Sequence, residues 1–279
     1  MVEDCPEPEL CWAGGGFCAC TAGRSTAATS TTAKSSRRTG EDCPSALFIE
    51  IECIRFLIIS FMTAAKPVNL WTSTEHARDY LERADSISHR SEGEATLLEF
   101  IPATTRRILD LGTGDGRLLA LVREDLSRRN VSVTEAVAVD FSPAMLEAAG
   151  RRFAGDASVR VVSHNLDEAL PSLGSFDAVV SSFAIHHLVH ERKRALYSEI
   201  FALLNPGGVF CNLEHVSSPT PRLHEEFLHA IGCTVETEDP SNKLLDLETQ
   251  LTWLRKIGFA DVDCHWKWRE LALLAGRKL

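Results

Sequence analysis

The sequence lacks several features that would place it in other classes of protein. It has no run of about twenty apolar residues, so it predicts no helix that spans a membrane. It has no internal repeat. Basic residues are in the minority, since 29 lysines and arginines stand against 39 aspartates and glutamates, giving a net charge of −10. A chain with this balance offers no broad electrostatic surface to nucleic acid, although a local basic patch stays open, so nucleic acid is not predicted as a partner. The missing apolar run likewise predicts no membrane partner.

The sequence also lacks the paired cysteines of a zinc site. None of its nine cysteines forms a C-x-x-C pair, and the closest approach is Cys18-Ala19-Cys20, so we predict no metal. Six cysteines precede residue 62, namely Cys5, Cys11, Cys18, Cys20, Cys43 and Cys53. The remaining three are Cys211, Cys233 and Cys264. We expect these three to act as small apolar residues in a reducing compartment, which favours a cytoplasmic location.

The first 61 residues have little of the periodicity that an ordered domain requires. Residues 21–40 are rich in Thr, Ser, Ala and Arg, a composition that predicts disorder. Residues 47–61 are apolar but too short and too charged for a membrane helix. Met62 resembles a natural start. We therefore expect residues 1–61 to be a disordered or dispensable extension, and residues 62–279 to form the working domain.

A glycine-rich loop is the most informative feature that is present. An apolar strand ends at Leu111, three alternating glycines follow at Gly112, Gly114 and Gly116, and a helix with an apolar stripe begins at once. Glycine is needed where the backbone turns sharply or where a ligand approaches the main chain. The start of a helix offers that ligand free N–H groups and the positive end of the helix dipole. The loop therefore predicts a nucleotide-type cofactor site.

The spacing of these glycines separates two classes of cofactor. The dinucleotide fingerprint G-x-G-x-x-G places its third glycine five positions after the first, where this chain has Arg117. A nicotinamide-dependent oxidoreductase is therefore disfavoured. The loop is also preceded by an acidic residue, Asp110, which is not part of the dinucleotide pattern.

A second strand, residues 136–140, ends in the carboxylate of Asp140. A carboxylate at this tip is well placed to accept hydrogen bonds from both hydroxyls of a ribose. The alternative is that Asp140 only caps the following helix. We disfavour this alternative because Ser142 stands at the N-cap position of that helix, with Pro143 at its first position.

The string D-L-G-T-G-D-G at 110–116 resembles motif I of the class I S-adenosylmethionine-dependent methyltransferases. Residues 176–188 resemble motif IV of that family, and residues 203–210 resemble the turn before its fifth strand. With Asp140, four motifs stand in the family's order. The resemblance implies S-adenosylmethionine as cofactor and Asp140 as its ribose ligand. It also implies an adenine contact at Asn165, with Asp167 as the alternative. The full predicted cofactor set is Asp110, Gly112, Thr113, Gly114, Gly116, Asp140, Phe141, Met145, Asn165, Leu166 and Ser182.

Helical and strand patterns alternate along the chain. Predicted strands cover 107–111, 135–139, 158–162, 176–182 and 208–214, and predicted helices cover 117–128, 143–153 and 191–204, after two helices near 74–83 and 92–100. This alternation predicts an α/β fold with a doubly wound, mostly parallel sheet. Two late strands, 262–268 and 270–275, predict an antiparallel C-terminal hairpin that completes seven strands, as in the family. We expect the segment 216–243, with Trp71 and Tyr80, to cover the site.

Trp266 and Trp268 alternate with His265, Lys267 and Arg269 in the first strand of that hairpin. This interleaving of aromatic and basic residues could indicate nucleic-acid contact. In a strand, however, the two tryptophans share one face and the three basic residues share the other. We favour a half-buried strand with a solvated basic face.

Methyl transfer from a sulfonium is an in-line displacement, so it needs positioning and water exclusion more than a catalytic triad. Polar residues at the strand ends are the candidates for the acceptor side. His187 is predicted as a general base or a pocket residue. Trp71, Tyr80, His186, Glu214 and His215 are predicted to bind substrate, although Glu214 and His215 could instead be solvated in loops.

The sequence therefore predicts an enzyme that transfers a methyl group from S-adenosylmethionine to a small-molecule acceptor. One alternative is a tRNA-base methyltransferase or a relative that uses a modified donor. Another is a non-catalytic regulator that only binds S-adenosylmethionine. The oligomeric state and the acceptor's identity are not predicted.

Overall fold

The computed structural model describes residues 70–84 and 87–279. The expectations for residues 1–61, including the six early cysteines, lie outside this range. Within it, no helix has both the length and the apolar character needed to cross a membrane.

A single seven-stranded sheet forms the centre of the domain. Its strands are β1 (Arg107–Leu111), β2 (Glu135–Asp140), β3 (Val159–Ser163), β4 (Phe176–Ser182), β5 (Leu204–His215), β6 (Ala260–Trp268) and β7 (Leu271–Arg277). They lie in the order β3-β2-β1-β4-β5-β7-β6. The first five strands are parallel, and β7 runs antiparallel to both β5 and β6. The predicted doubly wound sheet with an antiparallel C-terminal hairpin is confirmed.

Seven helices surround this sheet in the part of the chain that the structure describes. They are α1 (Thr74–Ala84), α2 (Arg90–Phe100), α3 (Arg117–Arg128), α4 (Pro143–Arg152), α5 (His190–Leu203), α6 (Pro221–Ala230) and α7 (Leu247–Ile257). Short 3-10 turns precede α1 at Leu70–Thr72 and follow β4 at Ile185–His187.

Apolar side chains are buried on both faces of the sheet. In β1, Leu109 packs in one core with α5 and α7, whereas Ile108 packs in a second core with α2 and α3. Such alternation follows from the two-residue period of a strand. Because helices cover both faces, the parallel strands read as nearly continuous apolar runs, which is why the sequence located them well.

Strand β5 begins four residues before its predicted start. Leu204 already pairs with Phe176, and a register irregularity then separates this pair from the next, Ala178 with Val209. The intervening Pro206 and glycines suggested a turn outside the sheet. The early pairing is local, and Asn205 helps to hold it by donating from Nδ2 to Asp177 Oδ1 at 2.8 Å.

A bulge changes the predicted faces of β6. The register shifts between Cys264 and Trp266, so these positions no longer alternate simply. The His265 ring lies 4.1 Å from that of Phe100, and Trp266 packs beside Gly93, so both side chains contact α2. The prediction that His265 lies on the face opposite to Trp266 is therefore wrong, because an extra residue in a strand reverses the alternation beyond it.

The strand order fixes where a ligand can bind. Strand β1 is followed by β2 on one side, whereas its other neighbour is β4, which comes much later in the chain. In open α/β sheets a crevice opens at this reversal, beyond the carboxyl ends of the strands. The glycine loop, Asp140 and the histidines after β4 all lie at that edge.

Candidate active site

The glycine loop after β1 packs so closely against its neighbours that two of its positions leave no room for a Cβ. Gly112 has a φ of +66°, and a Cβ placed there would lie 2.1 Å from the Cβ of Ala184 after β4. Gly116 has a φ of +83°, and its Cβ would lie 2.4 Å from the ring of Phe153. Gly116 lets α3 approach the end of α4, and its contact with a ligand stays a prediction.

A cavity lies against this loop, and we call it the loop cavity. Ten of the predicted cofactor residues line it: Asp110, Gly112, Thr113, Gly114, Asp140, Phe141, Met145, Asn165, Leu166 and Ser182. The other wall residues are Trp71, Tyr80, Arg90, Asp115, Arg117, Leu118, His164, Asp167, Phe183, Ala184, His187 and Leu188. Of this second group, Trp71, Tyr80, Asp167 and His187 were predicted to lie at the site in other roles.

Asp110 presents an unsatisfied carboxylate oxygen at the loop cavity. The residue is buried, and its Oδ2 accepts a hydrogen bond from Thr113 Oγ1 at 2.6 Å. Its Oδ1 is buried and has no hydrogen-bond partner. Burial raises the pKa of this carboxyl to about 7. A group of this kind is suited to a cationic ligand, which would pair with the bare oxygen.

Asp140 ties the end of β2 to the glycine loop. Its Oδ1 accepts from the backbone N–H groups of Phe141 and Ser142 at 2.8 and 2.9 Å, and its Oδ2 accepts from that of Gly114 at 2.9 Å. An ionised carboxylate has about four acceptor positions, so one remains on Oδ2 for a ligand. Burial nevertheless raises the pKa of Asp140, since desolvation outweighs these three bonds.

The prediction that Ser142, and not Asp140, caps the helix after β2 is wrong. Ser142 has the backbone conformation of an N-cap, but its side chain makes no cap hydrogen bond and its Oγ is buried without a partner. The carboxylate of Asp140 takes the backbone N–H of Ser142 instead. Asp140 therefore organises the start of α4 and faces the loop cavity at the same time.

The two candidates for an adenine contact both line the loop cavity. The Oδ1 of Asn165 accepts from the backbone N–H of Asp167 at 3.0 Å, which fixes the turn after β3. The preceding His164 has a buried Nε2 with no hydrogen-bond partner. The choice between Asn165 and Asp167 stays a prediction, because both reach the same wall.

A second cavity of about 440 Å³ adjoins the first, and we call it the lid cavity. The two cavities share Trp71, Tyr80, Phe183 and His187. Its apolar residues are Leu70, Trp71, Tyr80, Ile87, Phe183, Phe227, Leu228, Ile231, Cys233, Pro240 and Leu271, and its polar ones are His76, His186, His187, His215, Thr237, Glu238, Asp239 and Asn242. The segment predicted to cover the site thus supplies much of this wall.

His186 is held by a buried carboxylate on the side away from the lid cavity. Its Nδ1 lies 2.8 Å from Oε1 of Glu214, which is 1% exposed and also accepts from the backbone N–H of His215. Burial, followed by the charge of His215, lowers the pKa of His186 well below its usual value. A neutral imidazole that donates from Nδ1 leaves Nε2 as an acceptor. Glu214 lies beneath His186 and orients it, and its contact with a substrate stays a prediction.

His187 stands where the two cavities meet. Its Nδ1 lies 2.9 Å from Oγ of Ser241, and its ring packs edge-on at 5.3 Å from Trp71. Burial, together with the adjacent His186, lowers the pKa of His187 well below its usual value. Trp71 also contacts Tyr80 at 5.1 Å between ring centroids. The predicted pocket residues Trp71, Tyr80 and His187 therefore form one aromatic wall.

His215 belongs to a chain of contacts that fastens α6 over the lid cavity. Its Nε2 lies 2.8 Å from Oε2 of Glu270, which in turn faces Nδ1 of His224 on α6. The Nε2 of His224 lies 3.0 Å from Oε2 of Glu238 in the loop after α6. Burial alone would lower the pKa of His224, but the two carboxylates outweigh it and raise that pKa.

Comparisons with known proteins agree with this geometry. A family model described as a methyltransferase domain matches residues 108–208. A demethylmenaquinone methyltransferase from Clavibacter sepedonicus is 32% identical over 184 residues, covering 61% of this chain and 71% of the relative. An O-methyltransferase family protein from Burkholderia thailandensis aligns with a TM-score of 0.61 and 19% identity over 82% of this chain and 70% of its own. Human N-acetylserotonin methyltransferase, solved with S-adenosylmethionine, aligns with a TM-score of 0.54 and 16% identity over 75% of this chain and 57% of its own.

The chain belongs to the class I S-adenosylmethionine-dependent methyltransferases, and S-adenosylmethionine is its cofactor. The loop cavity fits this cofactor. Asp110, whose Oδ1 lacks a partner, suits the cationic amino group, and the free acceptor position of Asp140 suits a ribose hydroxyl. Phe141, Met145 and Leu166 line the same cavity and give it an apolar surface that suits the adenine base.

The raised pKa of Asp110 predicts a pH-dependent affinity for S-adenosylmethionine. Below about pH 7 the free protein holds a proton on this carboxyl, and pairing with the cationic amino group expels it. The affinity should therefore rise by nearly tenfold between pH 5.5 and 6.5, and it should flatten above about pH 7. Calorimetric titrations from pH 5.5 to 7.5 would measure this profile. The Asp110→Asn variant should bind more weakly and lose the slope; an unchanged slope in that variant would assign the titration to another group.

Proposed function

We propose that this methyltransferase acts on a small, uncharged and largely apolar acceptor that occupies the lid cavity. The observation that carries the proposal is the junction of the two cavities at Trp71, Tyr80, Phe183 and His187. An acceptor in the lid cavity would meet the cofactor only through that junction. Catalysis of this kind depends on holding the two reactants in contact and in line.

The walls of the lid cavity favour an acceptor without negative charge. Among the described residues that line it, none is a lysine or arginine, and the charged ones are Glu238 and Asp239. An anionic acceptor would be buried without a counter-charge, which is costly. Aromatic and aliphatic side chains from α6 and from the 3-10 turn before α1 suit an apolar ring or chain of the acceptor.

When bound, the cofactor supplies a methyl group on a sulfonium, which leaves as a neutral thioether. This chain's residues position the acceptor and exclude water beneath α6. We assign the acceptor's proton to Nε2 of His186, because Glu214 orients the imidazole and would stabilise its charged form. His187, which was predicted as a general base or a pocket residue, has its Nδ1 beside Ser241 and shapes the junction in this scheme.

Two further observations support a small-molecule acceptor over a tRNA base. The net charge is −10, whereas a duplex or tRNA contact depends on clustered positive charge. The relative from Clavibacter sepedonicus is named for a small-molecule acceptor, demethylmenaquinone.

The proposal is tested by following a labelled methyl group from S-adenosylmethionine into a cell extract. We expect the label in molecules that pass an ultrafiltration membrane or partition into organic solvent. The His186→Asn variant should lower this transfer by about 100-fold, within the usual range for a general base, while its affinity for S-adenosylmethionine stays within threefold of the original. Label found only in precipitated RNA or protein would overturn the small-molecule acceptor.

The domain boundary and the location are part of the same proposal. A chain that starts at Met62 should retain the affinity of the full chain for S-adenosylmethionine, since the described site residues all follow that position. Cys211, Cys233 and Cys264 are free thiols, which favours the cytoplasm. A truncated chain that folds but no longer binds the cofactor would contradict the boundary.

A further inference from the structure

Two histidine–carboxylate pairs stand side by side at the lid cavity. Nδ1 of His186 lies 2.8 Å from Oε1 of Glu214, and Nε2 of His215 lies 2.8 Å from Oε2 of Glu270. The ring centroids of the two histidines are 5.5 Å apart, and both residues line the cavity. Both glutamates are buried, so each pair presents its histidine to the cavity.

The two carboxylates act as hydrogen-bond acceptors. Glu214 also accepts from Nδ2 of Asn212 at 3.2 Å and from the backbone N–H of His215 at 2.9 Å. Glu270 faces Nδ1 of His224 at 3.1 Å in addition to Nε2 of His215. An ionised carboxylate only accepts, so the ring nitrogen that faces it carries the hydrogen.

The second nitrogen of each ring is then free to accept a hydrogen bond. In a neutral imidazole this nitrogen has a lone pair, and it is Nε2 in His186 and Nδ1 in His215. Neither atom has a hydrogen-bond partner in the part of the chain that the structure describes. Polar atoms inside a protein are rarely left unbonded. Two acceptors so close together on one cavity wall therefore indicate a ligand with two hydrogen-bond donors.

The surface beside the histidines is apolar. Phe227, whose ring centroid is 5.0 Å from that of His215, packs in one buried cluster with Leu228 and Leu271, and Phe183 packs against this cluster. All four of these apolar residues line the lid cavity. Such a wall suits a carbon ring or a short chain, which would have to supply both donors because the two histidines are so close.

The surroundings of His186 favour hydroxyl donors over ammonium donors. Nζ of Lys243 donates to the carbonyl oxygen of His187 at 2.7 Å, and Nζ of Lys193 donates to the carbonyl oxygen of Lys243. Burial, followed by the charges of His215 and Lys193, lowers the pKa of His186 well below its usual value. An ammonium group beside His186 would meet the same penalty, whereas a hydroxyl donates without adding a charge.

We propose that the acceptor carries two hydroxyl groups, of which one contacts Nε2 of His186 and the other contacts Nδ1 of His215. The inference rests on the proposed function and names the class of molecule that occupies the lid cavity, a small ring or short carbon skeleton with two hydroxyls. His215 is then a specificity-determining residue, because it holds the hydroxyl that keeps its proton. Through Glu270 and His224 it also links this hydroxyl to α6.

The test compares small phenols that differ only in their hydroxyl groups. Phenol, catechol, resorcinol and hydroquinone would each be titrated into the full chain saturated with S-adenosylhomocysteine, with calorimetry as the measurement. At least one of the three dihydric compounds should bind about fivefold more tightly than phenol, in the range of one hydrogen bond. A cavity without the second acceptor would bind phenol most tightly, since an extra hydroxyl loses its water on entry.

The outcomes separate this inference from the proposed function. Tightest binding of phenol would overturn the two-hydroxyl acceptor and leave the lid cavity as the acceptor site. Failure of all four compounds to bind would overturn both.

Substitutions at His215 assign the preference to one residue. His215→Phe removes the acceptor nitrogen, so the dihydric compound should lose its fivefold advantage while phenol binds within twofold of its original affinity. His215→Asn keeps an acceptor oxygen and should retain part of the advantage. His229→Phe, on the exposed side of α6, is the matched control and should change neither affinity. An undiminished preference in His215→Phe would overturn the inference, and the comparison of the four phenols on the original protein stands if that variant does not fold.

Discussion

Replacing Asp140 with alanine should weaken the binding of S-adenosylmethionine by about 100-fold. The substitution removes the free acceptor position on Oδ2 and also leaves three backbone N–H groups, those of Gly114, Phe141 and Ser142, without their partner. A hydrogen bond to a charged group contributes about 1.5–3 kcal/mol, so the loss of the one bond at the free position of Oδ2 accounts for a factor of about 10 to 150. Isothermal calorimetry on the full chain would measure it.

The Asp140→Asn variant refines this result. The variant keeps one oxygen acceptor but turns an N–H donor towards a backbone N–H. Its affinity for S-adenosylmethionine should therefore lie at least about tenfold below that of the original protein. Asp156→Ala is the matched control, because that aspartate contacts Arg123 and Ser158 away from both cavities. If Asp140→Ala bound within threefold of the original protein, the ribose assignment would have to be abandoned.

The Gly112→Ala substitution should destabilise the protein by about 3 kcal/mol and abolish cofactor binding. Its left-handed backbone costs a residue with a Cβ about 1–2 kcal/mol, and the overlap with Ala184 at 2.1 Å adds an overpacking cost of about 1–3 kcal/mol. The strain would move the loop after β4 away from the glycine loop, and both loops form the cavity wall. Urea unfolding would measure the change in the free energy of unfolding.

The Gly155→Ala variant separates the cost of the left-handed backbone conformation from the cost of the overlap with Ala184. Gly155 has a φ of +82°, but no atom lies within 4 Å of a Cβ placed there. This variant should therefore lose only about 1 kcal/mol, from backbone conformation alone, and keep full affinity for S-adenosylmethionine. Equal losses in the two variants would show that the contact with Ala184 contributes nothing.

The elements that sequence predicted best are those whose local pattern and burial agree. The first strand and α3 have their predicted bounds because an apolar run meets a glycine loop and a helical stripe begins beyond it. Strand β5 started early because its first pair, Leu204 with Phe176, depends on a partner 28 positions away. The reversal of faces in β6 depends on a bulge, which a period-two pattern does not contain.

The residues of the candidate site were likewise predicted where a local pattern marks them and missed where packing alone places them. Ten predicted residues line the loop cavity because they lie at, or soon after, the carboxyl ends of strands that meet at one edge of the sheet. Arg90 was missed, since a lone arginine at the start of a helix is indistinguishable in sequence from a surface residue. Arg117 was noticed only as the residue that breaks the dinucleotide spacing. The position of Glu214 beneath His186 depends on the packing of two separate segments, and no spacing in the chain encodes it.

The division into two cavities also bears on how this enzyme and its relatives can diversify. Of the described residues that line the lid cavity, only Phe183, His186 and His187 fall within the matched range 108–208. The rest come from the segment before β1, from His215 at the end of β5, from α6 and the loop after it, and from Leu271 in β7. Changes at residues that line only the lid cavity would therefore leave the groups around the glycine loop in place. Sequence similarity within the matched range therefore says more about the cofactor than about the acceptor.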